Sequence, residues 1–463
     1  MTTSNAGAAA AEAPQDSTRR VAARAALAGG VGTFIEHYEY GLYGFIAGIV
    51  IGPLFFPSED PAVGLLASFA ALAVGYVARP FGGIVLGAAS DRYGRRPVLV
   101  FTLLLIGVAT AAIGLLPTYA AIGIWAPILL VLMRLIQGFG AGAELAGAIT
   151  IINESAVRKR KAALSAVAMA AVGLGGISAN LLTTLLGSTI SPEAFLEWGW
   201  RIPFVLGAVL TVVGLMLRRT MHESPEFERV KAERAAGLIP PAKLNPFVAM
   251  GRAVKASPRN WISAFLLPSG FNVTGFIVAA YSISYVVGVR QLPLNQALQM
   301  SLIAISVGLV ALLLFGLLGD RIGTKRVMYI SIVGGVLFAF PYVAILAFGD
   351  IGMIALGSVV MYIFGWSAGA AAHTVVMPAL FKTEYRASGL FSARELQGAV
   401  VAGPSALIAA ALVVASGGQP WLVGAYIVAG HLVSLIGMLV GRPFLGATEL
   451  ESTPSLRGWN PRD

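Results

Sequence analysis

Glu36 and Glu39 stand three residues apart in a stretch that is otherwise mostly apolar or aromatic. On a helix this spacing sets both carboxylates on one face, with Tyr40 and Tyr43 along the same stripe. Two carboxylates so close repel when both are ionised, and burial opposes ionisation further. One of them is therefore suited to taking up and releasing a proton, with Glu39 the first choice. The competing reading is a permanent pairing of both with cations on neighbouring helices. Arg79, Arg134 and Arg394 are those cations, each also set in apolar sequence. A guanidinium matches a carboxylate with two hydrogen bonds, so each suits an acidic solute as well as a glutamate.

Arg134, Gln137 and Glu144 fall within an arc of about 80° on one helix. That stripe reads as a cavity lining, or as a fixed Arg–Glu pair in which Glu144 is the structural partner. Arg79 precedes Pro80 and suits pairing with Glu36 or Glu39 as well as direct contact with a solute. Arg394 and Gln397 lie one turn apart, while Glu395 points elsewhere. Trp366 and His373 share a face, as do Tyr281 and Tyr285 with Asn272 upstream; Asn180 follows two glycines on one side of its helix. For each of these, contact with a solute competes with ordinary polar packing between helices.

Enzyme chemistry finds little support. The chain has no cysteine, its four histidines are scattered, and no G-x-x-x-x-G-K-[ST] segment occurs. Disulfides, thiolate metal sites and a P-loop ATPase are thereby set aside. No nucleophile–base pair, metal site or cofactor is expected, and an ion gradient is the expected power source.

The elements that position these residues follow from composition. Of 463 residues 57% are hydrophobic and 12% charged, against about 25% charged in soluble proteins, and mean hydropathy is +0.80. A membrane-crossing helix needs about 20 mainly apolar residues. Twelve candidates lie at roughly 26–53, 62–89, 97–116, 124–152, 162–187, 199–218, 260–288, 295–318, 327–348, 352–379, 388–415 and 420–441; they are named here spans one to twelve. Expected divisions are a disordered tail at 1–20, a six-span unit at 21–218, a polar loop at 219–258, a second unit at 259–441 and a tail at 442–463. Within the loop, Asn245 to Lys255 suits a short helix lying at the membrane interface.

A repeat supports the two halves. Gly87-Ala-Ala-Ser-Asp91-Arg92-Tyr-Gly94-Arg95-Arg96 follows span two, and Gly316-Leu-Leu-Gly-Asp320-Arg321-Ile-Gly323-Thr-Lys325-Arg326 follows span eight. Gly94 permits a tight reversal, and each aspartate is placed to meet an arginine or the positive N-terminal end of a helix. Basic residues crowd the loops on the side of these turns, the central loop and both termini. The opposite loops carry Glu59, Asp60, Glu193, Glu197 and Asp350, with Arg290 and Arg201 as the exceptions. Both termini are therefore expected in the cytoplasm. The net charge of +10 then marks orientation and contact with anionic lipid, and no nucleic-acid partner is expected.

Six spans, a central loop, six spans and the repeated turn resemble the major facilitator superfamily over nearly the whole chain. A narrower resemblance rests on five segments in order: Glu36-His-Tyr-Glu39-Tyr40, Gly75-Tyr-Val-Ala-Arg79-Pro80, Arg134-Leu-Ile-Gln137-Gly138, Glu197-Trp198-Gly-Trp200-Arg201 and Glu223-Ser224-Pro225-Glu226-Phe227. Together they look like the metabolite–proton symporter family, whose members import α-ketoglutarate, citrate, shikimate, proline or betaine. His37 stands where that family has an aromatic, Glu39 where it has aspartate, and Arg394-Glu395 where an uncharged polar pair is commoner. The resemblance implies two rocking bundles around a central site, turns that latch the cytoplasmic side, and a working monomer. The expectation is an all-α plasma-membrane importer of a small polar metabolite, an organic acid first, driven by protons. A zwitterionic osmolyte is the alternative, weakened by a C-terminal tail without heptads, and a drug exporter ranks below both.

Overall fold

The structure is a computed structural model that describes residues 15–93, 95–142, 161–219, 236, 246–382, 386–444 and 453–459. Among these residues every regular element is helical. Eleven helices are long and apolar enough to cross a membrane, running Gly30–Phe55, Pro61–Gly87, Arg96–Leu115, Ser165–Thr189, Arg201–Arg218, Pro258–Gly288, Leu294–Ile322, Thr324–Phe348, Ile351–Ala379, Ser388–Ala415 and Trp421–Val440. Span four adds Trp125–Ala141, and its expected continuation lies outside the described residues. The twelve-span reading thus stands, with boundaries within a few residues of those expected.

One expected boundary differs. The first helix is already present at Gln15, the first described residue, inside the stretch expected to be disordered. The sequence after residue 14 is rich in alanine and arginine, both strong helix formers. The short helix expected in the central segment is present as Pro246–Ala256; most of that segment lies outside the described residues.

Within the first half, spans two and four cross closely because glycines line the crossing. A side chain at Gly138 would fall on the Gly75 carbonyl oxygen, and one at Gly142 on that of Arg79. Small residues at such a crossing let backbones approach where no hydrophobic force separates helix from lipid. The approach fixes the height of Arg79 against span four.

The halves meet along spans five and eight and along spans two and eleven, with the outer ends of spans one and seven also touching. Spans one, seven, ten and eleven each carry one π-helical turn, at Ala47–Ile51, Ile277–Tyr281, Tyr362–Ser367 and Gly398–Ala402. Such turns insert one residue into the helical register and often mark functional sites. Here the last three contribute to the wall of the central cavity described below.

The two basic exceptions on the outer side have a structural use. Arg201 Nη1 donates to the carbonyls of Gly114 (2.8 Å) and Leu116 (2.7 Å), at the outer end of span three. Arg290 donates to Leu346 (2.9 Å), Ala347 and Gly349 (3.1 Å), at the outer end of span nine. Each satisfies carbonyls that a helix end leaves unpaired. Spans three and nine hold equivalent places in the two halves, so the device is repeated.

Candidate substrate cavity and its charge cluster

A cavity of about 210 Å³ lies between the halves, walled by spans one, two, five, seven, eight, ten and eleven. Its charged lining is Arg79 from the first half and Arg394 with Glu395 from the second. The first link in the site is Arg79, only 5% exposed. Its Nη1 lies 2.6 Å from a carboxylate oxygen of Glu36 on span one. Its Nε donates to Glu395 Oε2 on span eleven at 3.0 Å. The expected pairing of Arg79 with a span-one carboxylate is thus present, with Glu36 as its partner. The same guanidinium lies 5.5 Å from the Tyr40 ring centroid and 5.4 Å from that of Tyr76, and these two rings meet edge to face at 4.8 Å.

Arg394 is placed differently. It borders the cavity, and its Nη1 is buried without a hydrogen-bond partner among the described residues. Gln397, one turn on, accepts from Asn272 Nδ2 at 2.9 Å, while its own Nε2 is buried and unpartnered, as is the Tyr40 hydroxyl. Three polar groups on the cavity wall thus await an acceptor. Trp366 stacks on Tyr362 at 4.7 Å. His373 contacts the Ala370 carbonyl oxygen through Nδ1 at 2.8 Å and packs on Phe271. Both line the cavity, as does His37.

Other sequence candidates sit behind the wall. Gln137 Nε2 donates to Glu39 Oε2 at 3.0 Å and to Thr110 Oγ1 at 2.7 Å, while its Oε1 accepts from Arg134 Nη1. Arg134, fully buried, lies 3.4 Å from the Tyr43 ring centroid. Gln137 thus stands as a neutral bridge between Arg134 and Glu39, and none of Glu39, Tyr43, Thr110, Arg134 and Gln137 borders the cavity. Asn180 accepts from Thr184 within span five. Tyr281 packs across the halves towards Phe69 at 6.2 Å, and Tyr285 donates to the Gly418 carbonyl at 3.3 Å; both lie on the outer side of the cavity.

Glu395 corrects the sequence reading, which pointed it away. Adjacent residues on a helix differ by about 100°, and span eleven meets both the cavity and span two across that angle. Spacing shows which residues share a face, and not which neighbour occupies it. Tyr76 was also missed, although Tyr76 and Arg79 lie three apart on the same face as a readable signal.

Of the two repeated turns, the second is visible in full. Asp320 Oδ1 accepts from the Ala162 backbone N–H at 2.9 Å, and Oδ2 from that of Ala163 at 3.0 Å. An aspartate of the second half thus caps the N-terminal end of span five in the first, the kind of partner expected for it. Gly316 lies against span five as well, and Gly323 makes the reversal with φ of +92°. Arg321 is exposed and Gly87 half-buried. In the first turn, Gly94 and the side chains of Asp91, Arg92 and Arg95 lie outside the described residues, as does Glu144; Arg96 is exposed.

Comparison with known proteins agrees with this fold. The sequence profile of the Major Facilitator Superfamily matches residues 31–393. A shikimate transporter of Escherichia coli strain K12 is 34% identical over 419 residues, covering 90% of this chain and 94% of that one. The glycine betaine/proline/ectoine/pipecolic acid transporter OusA of Dickeya dadantii is 33% identical, covering 93% and 86%. In fold, the chain is similar to the xylose transporter XylE from E. coli in a partially occluded inward-open conformation. The TM-score is 0.69 at 18% identity, over 89% of this chain and 97% of that one. The protein is thus a multi-pass membrane transporter and not an enzyme, and it belongs to the major facilitator superfamily and, within it, to the metabolite–proton symporters.

Proposed function

We propose that the protein imports a small carboxylate together with protons, by alternating access. The two six-span units, 21–218 and 259–441, are the moving parts, and the 219–258 segment joins them. The observation that carries this reading is the buried Arg394 Nη1, unpartnered on the cavity wall. An unsatisfied buried donor costs about 1–3 kcal/mol, more when charged, and a solute carboxylate removes that penalty with matched geometry. Gln397 Nε2 and the Tyr40 hydroxyl add donors suited to further oxygens on the solute. Shikimate, carried by the Escherichia coli relative, is an acid bearing hydroxyls of this kind.

Charge balance supports proton coupling. Arg79 and Arg394 offset Glu36 and Glu395, so the cluster is neutral with all four groups charged. Binding an anion leaves it one charge negative, which favours uptake of one proton by a nearby carboxylate. Glu36 and Glu39 remain the span-one candidates. Of these Glu36 shares Arg79 with the cavity wall, while Glu39 lies behind that wall against Gln137. The contact of Asp320, at the end of span eight, with the start of span five then serves as the cytoplasmic latch that opens when the bundles rock.

A second reading is favoured by the aromatic wall. Tyr40, Tyr76, Tyr362 and Trp366 line the cavity and suit a quaternary amine by cation–π contact, with Arg394 holding the carboxylate of a betaine-like zwitterion. Uptake into proteoliposomes under an inward proton gradient separates the two, across hydroxylated acids, dicarboxylates, proline and betaine. Acid uptake that collapses with a protonophore supports the first reading. Uptake of betaine or proline alone moves the assignment to the second, and uptake of none overturns both.

A further inference from the structure

Glu395 differs from the other carboxylates of the cluster in belonging to the second half. Its partner Arg79 belongs to the first, and both are buried. Their bridge joins spans two and eleven towards the cytoplasmic ends of both helices. One turn nearer that end, the Phe391 ring of span eleven packs against Gly83 of span two. The inner side cannot open between these spans while the bridge holds.

We infer that Glu395 is the residue through which protonation opens the inner side, because a proton on it dissolves the buried ion pair that ties span two of one half to span eleven of the other. This rests on the proposed proton-coupled import and adds the step that links charge to movement. The argument turns on which carboxylate is neutralised. A proton on Glu36 leaves Arg79 wholly to Glu395 and tightens the link between the halves. A proton on Glu395 leaves Arg79 paired with Glu36 inside the first half, satisfied and free to move with it. Both sites restore neutrality after an anion binds beside Arg394, and only the second also unties span two from span eleven. The proton is taken from outside and leaves to the cytoplasm when the open inner side hydrates the carboxyl group.

The surroundings of Glu395 contain the charges this requires. Span two presents Arg79 and Tyr76, span one Glu36 and Tyr40, span ten His373, and span eleven itself Arg394. Span seven presents Asn272 to the cavity, and its Arg259 is exposed. The helix Pro246–Ala256, which packs on the start of span eleven, carries Arg252 and Lys255, both exposed.

The test uses the natural absence of cysteine. Phe391→Cys places one thiol in the seam between spans two and eleven, and a membrane-impermeant maleimide applied from the cytoplasmic side reports its opening. Labelling should quicken roughly tenfold as pH falls, and in the F391C/E395Q double variant it should be fast at every pH. E395D in the same background should restore the pH response. In parallel, E395Q without the reporter should lose about tenfold or more of proton-driven accumulation. If E395Q accumulates substrate like wild type and labelling keeps its pH response, the inference is overturned and the import reading stands. If wild type shows no proton-driven uptake, the import reading fails, and labelling decides the inference alone. Labelling insensitive to pH, or a pH response unaltered by E395Q, then overturns it.

Discussion

Arg79 and Glu395 are 316 residues apart in sequence and 3.0 Å apart in space, one in each half of the molecule. The neighbouring Arg394 has no such partner for its Nη1 and faces the cavity instead. Two adjacent ionisable residues thus divide the work, one tying the halves and one left open to a solute. Burying a charged bridge is weak evidence for stability, since desolvation offsets much of the attraction. Its place at a moving seam gives it a better explanation.

Arg394→Gln removes the unpartnered donor and its charge. Loss of a charge-assisted hydrogen bond is worth about 1.5–3 kcal/mol, so KM should rise about ten- to a hundredfold. Arg394→Lys should recover only part of this, because an ammonium lacks the planar fork. Substrate exchange across a concentration series measures both, and an unchanged KM in R394Q would remove Arg394 from the site.

The dependence on pH has a definite sign. Substrate binding makes the cluster net negative and so raises its affinity for a proton; by linkage, protonation raises affinity for substrate equally. KM should therefore fall as outer pH falls, and level off once the empty site is protonated as well. A KM that rises on acidification would contradict a carboxylate substrate bound with a proton.

Replacing both Glu36 and Glu39 with glutamine should abolish uphill uptake if span one carries the proton, and should leave it in place if Glu395 carries it. Glutamine keeps the shape and hydrogen-bonding reach of both residues while removing the titration. Uphill uptake that survives in the double variant would sink the assignment of the coupling site to span one.

Asp320 holds two backbone N–H groups at the start of span five. Its loss should weaken that capping contact by about 0.5–2 kcal/mol. Asp320→Ala should therefore favour the inward-open state and slow net import, with Asp320→Asn intermediate. Thermal stability should change little, since the contact lies between halves. Cytoplasmic-side accessibility of a single thiol on span five reports the shift.

Gly138→Ala tests the crossing of spans two and four. The added carbon meets the Gly75 carbonyl oxygen and comes within 3.1 Å of the Ala78 side chain. Overpacking of this kind costs about 1–3 kcal/mol. Detergent-solubilised protein should lose its monodisperse elution at a lower temperature than wild type.

Much of the architecture was legible because hydrocarbon imposes one rule along the whole chain: about 20 apolar residues for each crossing. Loop charge gave the orientation, and the repeated turns gave the two halves. The site was legible in part. Arg79, Arg394, Tyr40, Trp366 and His373 do border the cavity, since ionisable and large polar groups in apolar helices have few other places to go. The stripe of Arg134 and Gln137 proved to face Glu39 and Tyr43 behind that wall. Helical periodicity gives relative angles on one helix, and it says nothing of how each helix is turned against its neighbours. Glu395 escaped for the same reason, because its partner lies in the other half. The helical stretch from Gln15 towards residue 20 escaped because low hydropathy was read as disorder where helix propensity was high.

Arg201 and Arg290 bear on how membrane insertion is specified. Both stand on the outer side, where basic residues are otherwise scarce, and both give their hydrogen bonds to the carbonyls that end spans three and nine. Each charge is absorbed by the negative end of a helix and leaves little field for the surrounding lipid. The asymmetry that orients the chain is then carried by the cations left free at the cytoplasmic surface. A basic residue can be moved to the outer face of such a protein without blurring its topological address, provided a helix terminus is there to receive it.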